Sequence, residues 1–487
     1  MTHECDNLAS ATSDPDSVST LIQTELDKGF IIGPFVESPF DIYRVSPIGL
    51  ATGKFNNKKR LIYDLSAPYS STIPSLNALI PADEFALKYS SVDEAIAIIL
   101  SLGRGAWLSK ADISDAFKLL PIMPQQWQWH GLRWRNLYYF ATKLTFGARS
   151  SPWLFNRFAS ALHWILENRF ECNHVIHYLD DFLLIESPNA SPRDLQVLRA
   201  VFDSLGVPVS PAKTEGPSRV ITFLGIELDS QKMEARLPEA KLVRIRTAIH
   251  RLRERPYISK VELQSILGML NFAMRIIPQG RTFISRLLAL LPSASEQSSL
   301  IHLDCQALAD LAMWESFLHN WNGISFFIPS IGNESPMVFS DAASSTGFAA
   351  IWGNHWFAGP WPPEITQIEG FIRSSAAFEL YPIVAAAQLW GPAWNRTTVL
   401  FVSDNAATVD ILLKGRSRCP IIMSLARRLV WLSLHHTFTF TCAHIGGIQN
   451  IAADALSRNN LSHFFQVMPE ADSIGAQVPP FHSLVMN

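Results

Sequence analysis

The sequence has few cysteines, few charges and no long apolar run. Its five cysteines stand singly, without a C-x-x-C pair, so neither a disulfide framework nor a zinc knuckle is indicated. The longest apolar candidate, Ser375 to Trp390, contains Glu379 and Pro382 and is too short for a membrane span. The N-terminal residues are polar and lack the basic and apolar regions of a secretory signal. We therefore expect a soluble intracellular protein, cytoplasmic, nuclear or both, with no membrane partner.

Charged residues make up 17% of the chain, and a net charge of −3 is unusual for a protein that binds nucleic acid. The distribution of the cations matters more than their sum. They concentrate in two clusters: Lys54, Lys58, Lys59 and Arg60, and then Lys241, Arg244, Arg246, Arg251, Arg253 and Arg255. The second cluster lies on a predicted helix, where a run of charge is also compatible with an ordinary solvated face.

The chain has 487 residues, 48% of them hydrophobic, which is enough for roughly two to four folded domains. Mixed short strands and helices predict an α+β region first, and apolar residues at helical spacing predict a helical region next, with Ser259 and Glu262 as a capping box. A mixed α/β region follows. The predicted bounds are 1–20 for a disordered segment, 21–235 for the α+β region, 236–330 for the helical region, 331–460 for the α/β region and 461–487 for a C-terminal tail.

Two adjacent carboxylates, Asp180 and Asp181, interrupt an apolar stretch from Val175 to Ile185. Apolar, β-branched and aromatic residues on both sides predict two short buried strands, which places the acids at the tip of a hairpin. Like charges repel there unless a cation compensates, and Mg2+ prefers carboxylate and phosphate oxygens. The pair therefore suggests metal-assisted phosphoryl chemistry, with an ordinary surface Asp-Asp turn as the alternative.

A polymerase site that holds two metal ions needs a third carboxylate on a neighbouring strand. The candidate is Asp112, which ends an extended segment that begins at Trp107 and is followed by a turn. Asp115 is a weaker candidate, because an acid at that place is typical of a turn or a helix cap. The sequence thus predicts that Asp112 lies beside Asp180 and Asp181.

Five motifs carry a resemblance to reverse transcriptases, and they occur in the family's order. They are Lys59–Leu65, Ala111–Phe117, Phe146–Pro152, Tyr178–Asp181, and Lys213 with Phe223–Gly225. The second resembles the family's first catalytic motif, and the fourth its Tyr-x-Asp-Asp motif. The resemblance implies a right-hand polymerase with fingers, palm and thumb, in which Asp112, Asp180 and Asp181 hold two Mg2+ ions.

The resemblance also implies roles for residues around the acids. Those implied to bind the nucleotide are Arg60, Lys54, Phe117, Phe146, Gly147 and Lys213, and those implied to bind primer or template are Leu224, Gly225 and Tyr178. Phe117 would be a steric gate, because a ring packed against the ribose 2′ carbon leaves no room for a hydroxyl. One departure matters: Thr145, Phe146 and Gly147 stand where many retroviral enzymes have Pro-Gln-Gly, so the glutamine's contact near the sugar is not implied here.

Four further acids lie in the C-terminal region. Asp341 and Asp404 follow predicted strands, Glu379 lies on a predicted helix, and Asp454 precedes an Ala-Leu-Ser-Arg sequence. Two strand-end aspartates and a helix glutamate can converge on one sheet edge and hold paired cations. In order, these acids resemble the Asp-Glu-Asp-Asp set of ribonuclease H domains, with two Mg2+ ions. His444 is similar to that family's mobile histidine, whereas a lone histidine at a strand end is more often structural.

The helical region is similar to the thumb of retroelement polymerases, whose basic helix would hold the backbone of the primer–template duplex. Over roughly residues 21–460 the chain resembles DIRS-like retrotransposons first, then gypsy-type and pararetroviral enzymes. That resemblance implies an RNA-directed DNA polymerase with RNase H, acting on an RNA template, a DNA primer, dNTPs and an RNA–DNA hybrid, with Mn2+ as a substitute for Mg2+. The alternatives are a degenerate or domesticated element that binds nucleic acid without catalysis, and a protein with only one active site.

Overall fold

The computed structural model describes residues 2–53, 59–69, 73–293, 299–320, 324–327, 335–372 and 374–486. Within these ranges no helix combines the length and the apolar character needed to cross a membrane. The chain forms two compact units, residues 1–224 (unit 1) and residues 225–487 (unit 2). The division falls before the predicted boundary at residue 235, because the hairpin at residues 226–236 pairs with a strand at residues 324–326.

Unit 1 mixes short strands with helices, as the sequence predicted. Its strands are β1 (His3–Glu4), β2 (Ile31–Phe35), β3 (Arg44–Val45), β4 (Ile48–Thr52), β5 (Lys59–Tyr63), β6 (Trp107–Asp112), β7 (Gly131–Trp134), β8 (Leu137–Ala141), β9 (Val175–Tyr178), β10 (Asp181–Glu186), β11 (Glu215–Ser218) and β12 (Val220–Phe223). Its helices are α1 (Ala9–Thr12), α2 (Pro15–Asp27), α3 (Val92–Leu102), α4 (Ser151–Phe170) and α5 (Asp194–Ser204).

The sheet that carries the first acid pair has the strand order β11-β6-β10-β9. The central strands β6 and β10 are antiparallel, and one face of the sheet packs against α4 and α5. Ala111 and Phe182 belong to that core and are at most 2% exposed. Because side chains alternate along a strand, their neighbours Asp112 and Asp181 face the opposite side. The packing of one face therefore decides where the acids point.

The prediction of a disordered segment over residues 1–20 is wrong. β1, α1 and the start of α2 lie there, and Val18 is fully buried. Asp14 caps α2 by accepting a hydrogen bond from the Ser17 amide at 3.3 Å. The polar composition concealed an apolar stripe on α2, in which Val18 and Ile22 lie one helical turn apart and are both buried.

Unit 2 begins with a β-hairpin, continues with helices and ends with a mixed α/β domain. Its strands are β13 (Ile226–Asp229), β14 (Glu234–Arg236), β15 (Tyr257–Ser259), β16 (Leu300–His302), β17 (Ile324–Phe326), β18 (Met337–Ala343), β19 (Gly347–Trp352), β20 (His355–Pro360), β21 (Thr398–Ser403) and β22 (Thr439–His444). Its helices are α6 (Glu239–Arg253), α7 (Lys260–Ala273), α8 (Ser285–Ala289), α9 (Cys305–Asn320), α10 (Glu369–Ile372), α11 (Ser375–Trp390), α12 (Ala406–Lys414), α13 (Pro420–His435), α14 (Ile451–Ser457), α15 (Leu461–Val467) and α16 (Phe481–Leu484). The predicted capping box of Ser259 and Glu262 is confirmed at the start of α7.

The C-terminal domain is built on a sheet with the strand order β20-β19-β18-β21-β22. β18, β19 and β20 are antiparallel neighbours, whereas β21 runs parallel to β18 and β22. Helices α11 and α13 pack on one face and helices α14 and α15 on the other. In the register between β18 and β21, Phe339 faces Val402, so Asp341 and Asp404, two residues further along each strand, come to the same edge.

The segment 461–487, predicted as a tail, packs onto this domain. It contains α15 and α16, and Phe464 and Leu484 are both fully buried. The ring centroid of Phe464 lies 5.3 Å from that of Trp356 on β20. Single apolar residues in a polar stretch gave no periodic signal from which this packing could be predicted.

Candidate active sites

The three acids predicted for the first site meet at one end of the unit 1 sheet. Asp181 is the register partner of Asp112 across β6 and β10, and the Ile113 amide donates to the Asp180 carbonyl oxygen at 3.0 Å. Asp180 stands in the tight turn between β9 and β10, where Leu179 has a φ of 54°. The hairpin tip predicted from the apolar pattern is therefore confirmed.

Burial, together with repulsion between the carboxylates, raises pKa values in this first acid cluster. Asp112 is 5% exposed, and its Oδ2 lies 2.6 Å from Lys213 Nζ. Burial, followed by the charges of Asp180 and Asp112, raises the pKa of Asp181 to about 7. Burial also raises the pKa of Asp180, against the opposing charges of Lys213 and Arg60. Such a cluster favours a bound cation, because an ion among the carboxylates offsets both burial and repulsion.

Phe117, the predicted steric gate, is held between two aromatic rings. The ring is 8% exposed, and the ring centroids of Phe146 and Phe155 lie 4.7 and 5.5 Å away. Phe155 is fully buried on α4, whereas Phe146 is 50% exposed. The two neighbours restrict the Phe117 ring, so it has little freedom to move aside for a larger sugar.

Gly147 occupies a place where a side chain does not fit. Its φ is 104°, and a Cβ added there would lie 2.4 Å from the Tyr63 carbonyl oxygen. The loop is held by Asn77, which the sequence analysis missed. Asn77 Nδ2 donates to the Gly147 carbonyl oxygen at 2.9 Å, and its Oδ1 accepts from the Arg149 amide at 2.8 Å. Asn77 thus fixes the loop that contains Phe146.

Gly147→Ala is expected to lower the free energy of unfolding by about 3 kcal/mol, because it adds a backbone clash to the cost of a left-handed residue. Gly206→Ala is the matched control, since Gly206 has a φ of +68° and nothing within 4 Å of an added Cβ. That control should lose about 1 kcal/mol. Urea denaturation measures both, and equal losses would contradict the steric role of Gly147.

The other predicted nucleotide contacts differ in their surroundings. Arg60 is exposed on β5 and pairs in register with Ala51 on β4. Its neighbour Lys59 lies 2.6 Å from Asp14, which makes it a contact within the fold. Lys54 lies outside the described residues.

Asp115, the weaker candidate, is a turn residue. Its φ is 50°, it precedes a short 3-10 helix, and its Oδ2 lies 2.6 Å from Lys28 Nζ. Asp112 and not Asp115 therefore belongs to the acid cluster.

The predicted primer contacts include two residues with left-handed backbone. Leu224 has a φ of 48° and Gly225 a φ of 80°. In unit 2, Lys241 Nζ donates to the Gly225 carbonyl oxygen at 3.0 Å and lies 3.9 Å from the centre of the Phe272 ring. A Cβ at Gly225 would lie 2.2 Å from that nitrogen, which a flexible lysine can move away, so it is the φ of 80° that favours glycine here.

The basic helix α6 is less available to a ligand than its sequence suggested. Two arginines of α6 and one just after it contact neighbouring helices: Arg246 contacts His319, Arg253 contacts Glu315, and Arg255 contacts Glu262. These contacts stabilise the packing of α6 against α9 and α7. Duplex binding stays a prediction for the other cations of this cluster.

The second acid set forms the tighter cluster. Asp341 on β18, Glu379 on α11 and Asp404 after β21 each offer a carboxylate oxygen within 4.8 Å of the other two. Burial raises the pKa of Asp341 to about 6. Burial, with the charges of Asp341 and Asp404, raises the pKa of Glu379 to about 9. Glu379 Oε2 is buried and has no hydrogen-bond partner in the described part of the chain.

The fourth acid, Asp454, is held by two residues to which sequence analysis gave no role. Asp454 lies on the first turn of α14, outside the group of three, and its Oδ1 accepts from Arg458 Nε at 2.7 Å. Ser457 Oγ donates to Asp341 Oδ2 and to the Asp454 carbonyl oxygen. The structure thus brings three predicted acids together and ties the fourth to them through Ser457.

His444 ends β22 next to the same cluster. Its Nε2 lies 3.0 Å from the Asp404 carbonyl oxygen, and the side chain is exposed. In the loop that follows, a Cβ at Gly447 would lie 3.2 Å from Asp404 Oδ2. The histidine is therefore within reach of the cluster without being one of its buried members.

Comparison with known proteins identifies the segment that contains the first site. Residues 53–228 match the family model of reverse transcriptase (RNA-dependent DNA polymerase). This segment is therefore similar to reverse transcriptase domains. The match includes Asp112, Asp180, Asp181 and Lys213, so the acid cluster lies inside the matched segment.

Two relatives show how far the sequence likeness extends. The Pro-Pol polyprotein of Feline foamy virus is 25% identical over 254 residues, which is 52% of this chain and 20% of the relative. Protein P of Duck hepatitis B virus (isolate white Shanghai duck S31) is 30% identical over 167 residues, 34% of this chain and 21% of the relative. The chain thus spans about a fifth of the length of these curated relatives. The DIRS-like placement stays a prediction.

Solved structures show that the likeness in fold extends beyond this segment. A foamy viral protease-reverse transcriptase in complex with double-stranded DNA has a TM-score of 0.53 at 19% identity, covering 91% of this chain and 71% of that one. The same type of protein in complex with an RNA/DNA hybrid has a TM-score of 0.52 at 18% identity, covering 91% and 55%. The predicted fold class, an α+β polymerase followed by a further domain, is confirmed.

Proposed function

We propose that the protein is an RNA-directed DNA polymerase that also cleaves the RNA strand of an RNA–DNA hybrid. Its substrates would be an RNA template, a DNA primer and dNTPs. The observation that carries the proposal is the register pairing of Asp112 with Asp181, beside Asp180, inside the segment that matches reverse transcriptases. Three acids at the end of one sheet, Asp112 buried and the other two half-buried, suit phosphoryl transfer, which depends on positioning and charge neutralisation.

The donor chemistry of both acid sets fits divalent cations. Hard cations take oxygen ligands, and the unpartnered Glu379 Oε2 is a buried acceptor that such an ion would satisfy. When bound, two Mg2+ ions per site, or Mn2+ in their place, supply Lewis-acid activation of the attacking oxygen and neutralise the phosphates. Asp112, Asp180 and Asp181 would hold them in the first site, and Asp341, Glu379, Asp404 and Asp454 in the second.

The remaining residues of the first site would bind and select the nucleotide. Arg60 and Lys213 carry positive charge toward the acid cluster, since both oppose the raised pKa of Asp180. That placement suits the binding of a triphosphate. Phe117, fixed between two rings, would exclude a ribose 2′ hydroxyl and select dNTPs. Gly147 would let the loop backbone approach closely.

The second site would direct a water molecule at the RNA strand. Asp341, Glu379 and Asp404 would set the geometry, and Ser457 would orient the Asp341 carboxylate through its hydrogen bond. His444 would assist product release from its exposed place at the end of β22. An A-form-like duplex would be the common substrate of both sites, bound through phosphates and sugars.

A primer-extension assay on an RNA template, run beside a hybrid-cleavage assay, tests this proposal. Both activities should require a divalent cation and should disappear with EDTA. A protein that binds the hybrid but is silent in both assays would be the degenerate or domesticated element that binds without catalysis. A single active assay would show that only one site works.

Lys213 and a divalent cation should compete for Asp112, because Nζ lies 2.6 Å from Oδ2 of that carboxylate. We expect Lys213→Gln to bind Mg2+ about tenfold more tightly, a difference of about 1.4 kcal/mol. Calorimetric titration with Mg2+ measures this affinity. Both proteins carry Asp404→Asn, which weakens Mg2+ binding at the second site so that the first site is observed.

Lys110→Gln is the matched control for this titration. Lys110 lies on the same strand as Asp112 but pairs with Glu215 at 2.9 Å and with the Thr222 carbonyl oxygen at 3.0 Å. The control should leave the Mg2+ affinity unchanged. Unchanged or weaker binding by Lys213→Gln would contradict the competition.

A further inference from the structure

An aromatic pair flanks the first acid cluster. The ring centroids of Tyr89 and Tyr178 lie 4.8 Å apart with an interplanar angle of 27°, so the two rings are stacked. Tyr178 is the register partner of Asp181 across the hairpin. Tyr89 therefore stacks on the residue that pairs across the hairpin with Asp181, a predicted metal ligand.

The backbone around Tyr89 is fixed although its ring is not buried. Tyr89 lies just before α3, and Ser91 caps that helix by accepting a hydrogen bond from the Glu94 amide at 3.3 Å. Helix α3 in turn contacts β10, the strand that begins with Asp181. The Tyr89 side chain is nevertheless 41% exposed. The fold thus holds an exposed ring at a defined place beside the acids.

The chemistry of this pair suits a nucleoside more than a phosphate. The Tyr89 ring is 41% exposed, so it is accessible to solvent or to a substrate. Stacked aromatic rings offer apolar surface and edges that suit sugars and bases. Phosphates would instead require cations or amide donors.

We propose that Tyr89 is a positioning residue for the primer terminus. Tyr89 and Tyr178 together form an aromatic shelf against which the sugar and base edge of the 3′-terminal nucleotide pack. This inference rests on the proposed polymerase function and adds a residue that the family resemblance did not assign. The shelf would hold the 3′ end beside Asp112 and Asp181 without reading its sequence.

Binding of a fluorescently labelled primer–template, measured by anisotropy without dNTPs, tests the proposal. Tyr89→Ala should weaken binding about tenfold, as expected for the loss of one stacking ring. Tyr89→Phe should bind like the unchanged protein, because it keeps the ring. Phe170→Ala is the matched control, since Phe170 is 43% exposed at the end of α4, has no predicted role and should not affect binding.

Two further measurements separate positioning from a purely structural role. Loss of stacking should leave the slope of binding against salt concentration unchanged, because no phosphate contact is removed. In extension assays Tyr89→Ala should raise the KM for primer–template and not the KM for dNTP. Should Tyr89→Ala fail to fold, Tyr89→Leu, which keeps apolar volume but not a ring, takes its place with the same expectation.

Primer–template affinity of Tyr89→Ala or Tyr89→Leu equal to that of the unchanged protein would overturn the proposal. A rise in the dNTP KM with no change in primer affinity would also overturn it. The binding assay requires no catalysis, so a protein that binds primer–template but never extends it refutes the proposed function while still testing Tyr89.

Discussion

Asp180→Asn is expected to abolish primer extension while hybrid cleavage continues. The substitution removes one carboxylate from the cluster that would hold both cations, and an amide oxygen carries no net charge to replace it. Extension should fall by at least about a thousandfold, or ~4 kcal/mol of barrier. Because burial raises the pKa of Asp180, a neutral side chain at this place should not destabilise the fold. Extension and cleavage rates of the same preparation provide the measurement.

Asp115→Asn is the matched control, since Asp115 lies in the same motif but pairs with Lys28 at 2.6 Å. It should extend primers at nearly the normal rate. Asp404→Asn should give the reverse pattern, with extension kept and cleavage lost. Loss of both activities in either Asp180→Asn or Asp404→Asn would count against two separate sites.

Glu379→Gln is expected to abolish cleavage without lowering stability in EDTA. Folding raises the pKa of Glu379 from 4.5 to about 9, mainly through burial. A carboxyl whose pKa is raised by folding makes its full contribution to stability below the unfolded pKa. That contribution is lost as the pH rises through about 9. At about pH 7.5 the carboxyl is protonated, so the neutral glutamine replaces it closely. Cleavage should nevertheless fall by at least about a thousandfold, because glutamine, unlike the glutamate carboxyl, cannot ionise to hold a cation.

Urea denaturation in EDTA at about pH 6 and about pH 9.5 checks the sign of this effect. The unchanged protein should lose stability between the two values, and Glu379→Gln should lose less. Asp410→Asn is the control, because Asp410 pairs with Lys414 on the surface of α12 and lies outside the acid cluster. A Glu379→Gln protein with full cleavage activity would exclude Glu379 from the site.

The acid hairpin could be predicted because its signal is local. Asp180 and Asp181 and the apolar residues of both strands are contiguous, so alternation and turn chemistry are visible in a short window. The same reason explains why the strand that leads to Asp341, β18 (Met337–Ala343), could be predicted. The capping box of α7 is equally local, since its two partners are three residues apart.

The missed residues act through contacts between distant parts of the chain. Asn77 is 70 residues from Gly147, and Ser457 is 116 residues from Asp341. A single asparagine or serine has no periodicity, and only the fold decides what it contacts. The basic helix α6 shows the same limit: its charges are visible in the sequence, but Glu315, the acid that neutralises Arg253, becomes its neighbour only through helix packing.

The antiparallel pairing of Asp112 with Asp181 makes the first site sensitive to strand length. One residue inserted into β6 would turn Asp112 toward the α4 and α5 side, because neighbouring side chains point to opposite faces. Two inserted residues would restore its direction but displace it by about 7 Å along the strand. Replacing one apolar residue of β6 by another does not change the position of Asp112 along the strand. Homologues that retain this chemistry should therefore vary freely in the aliphatic residues of β6 and β10. Insertions and deletions in their sequences should fall outside these two strands.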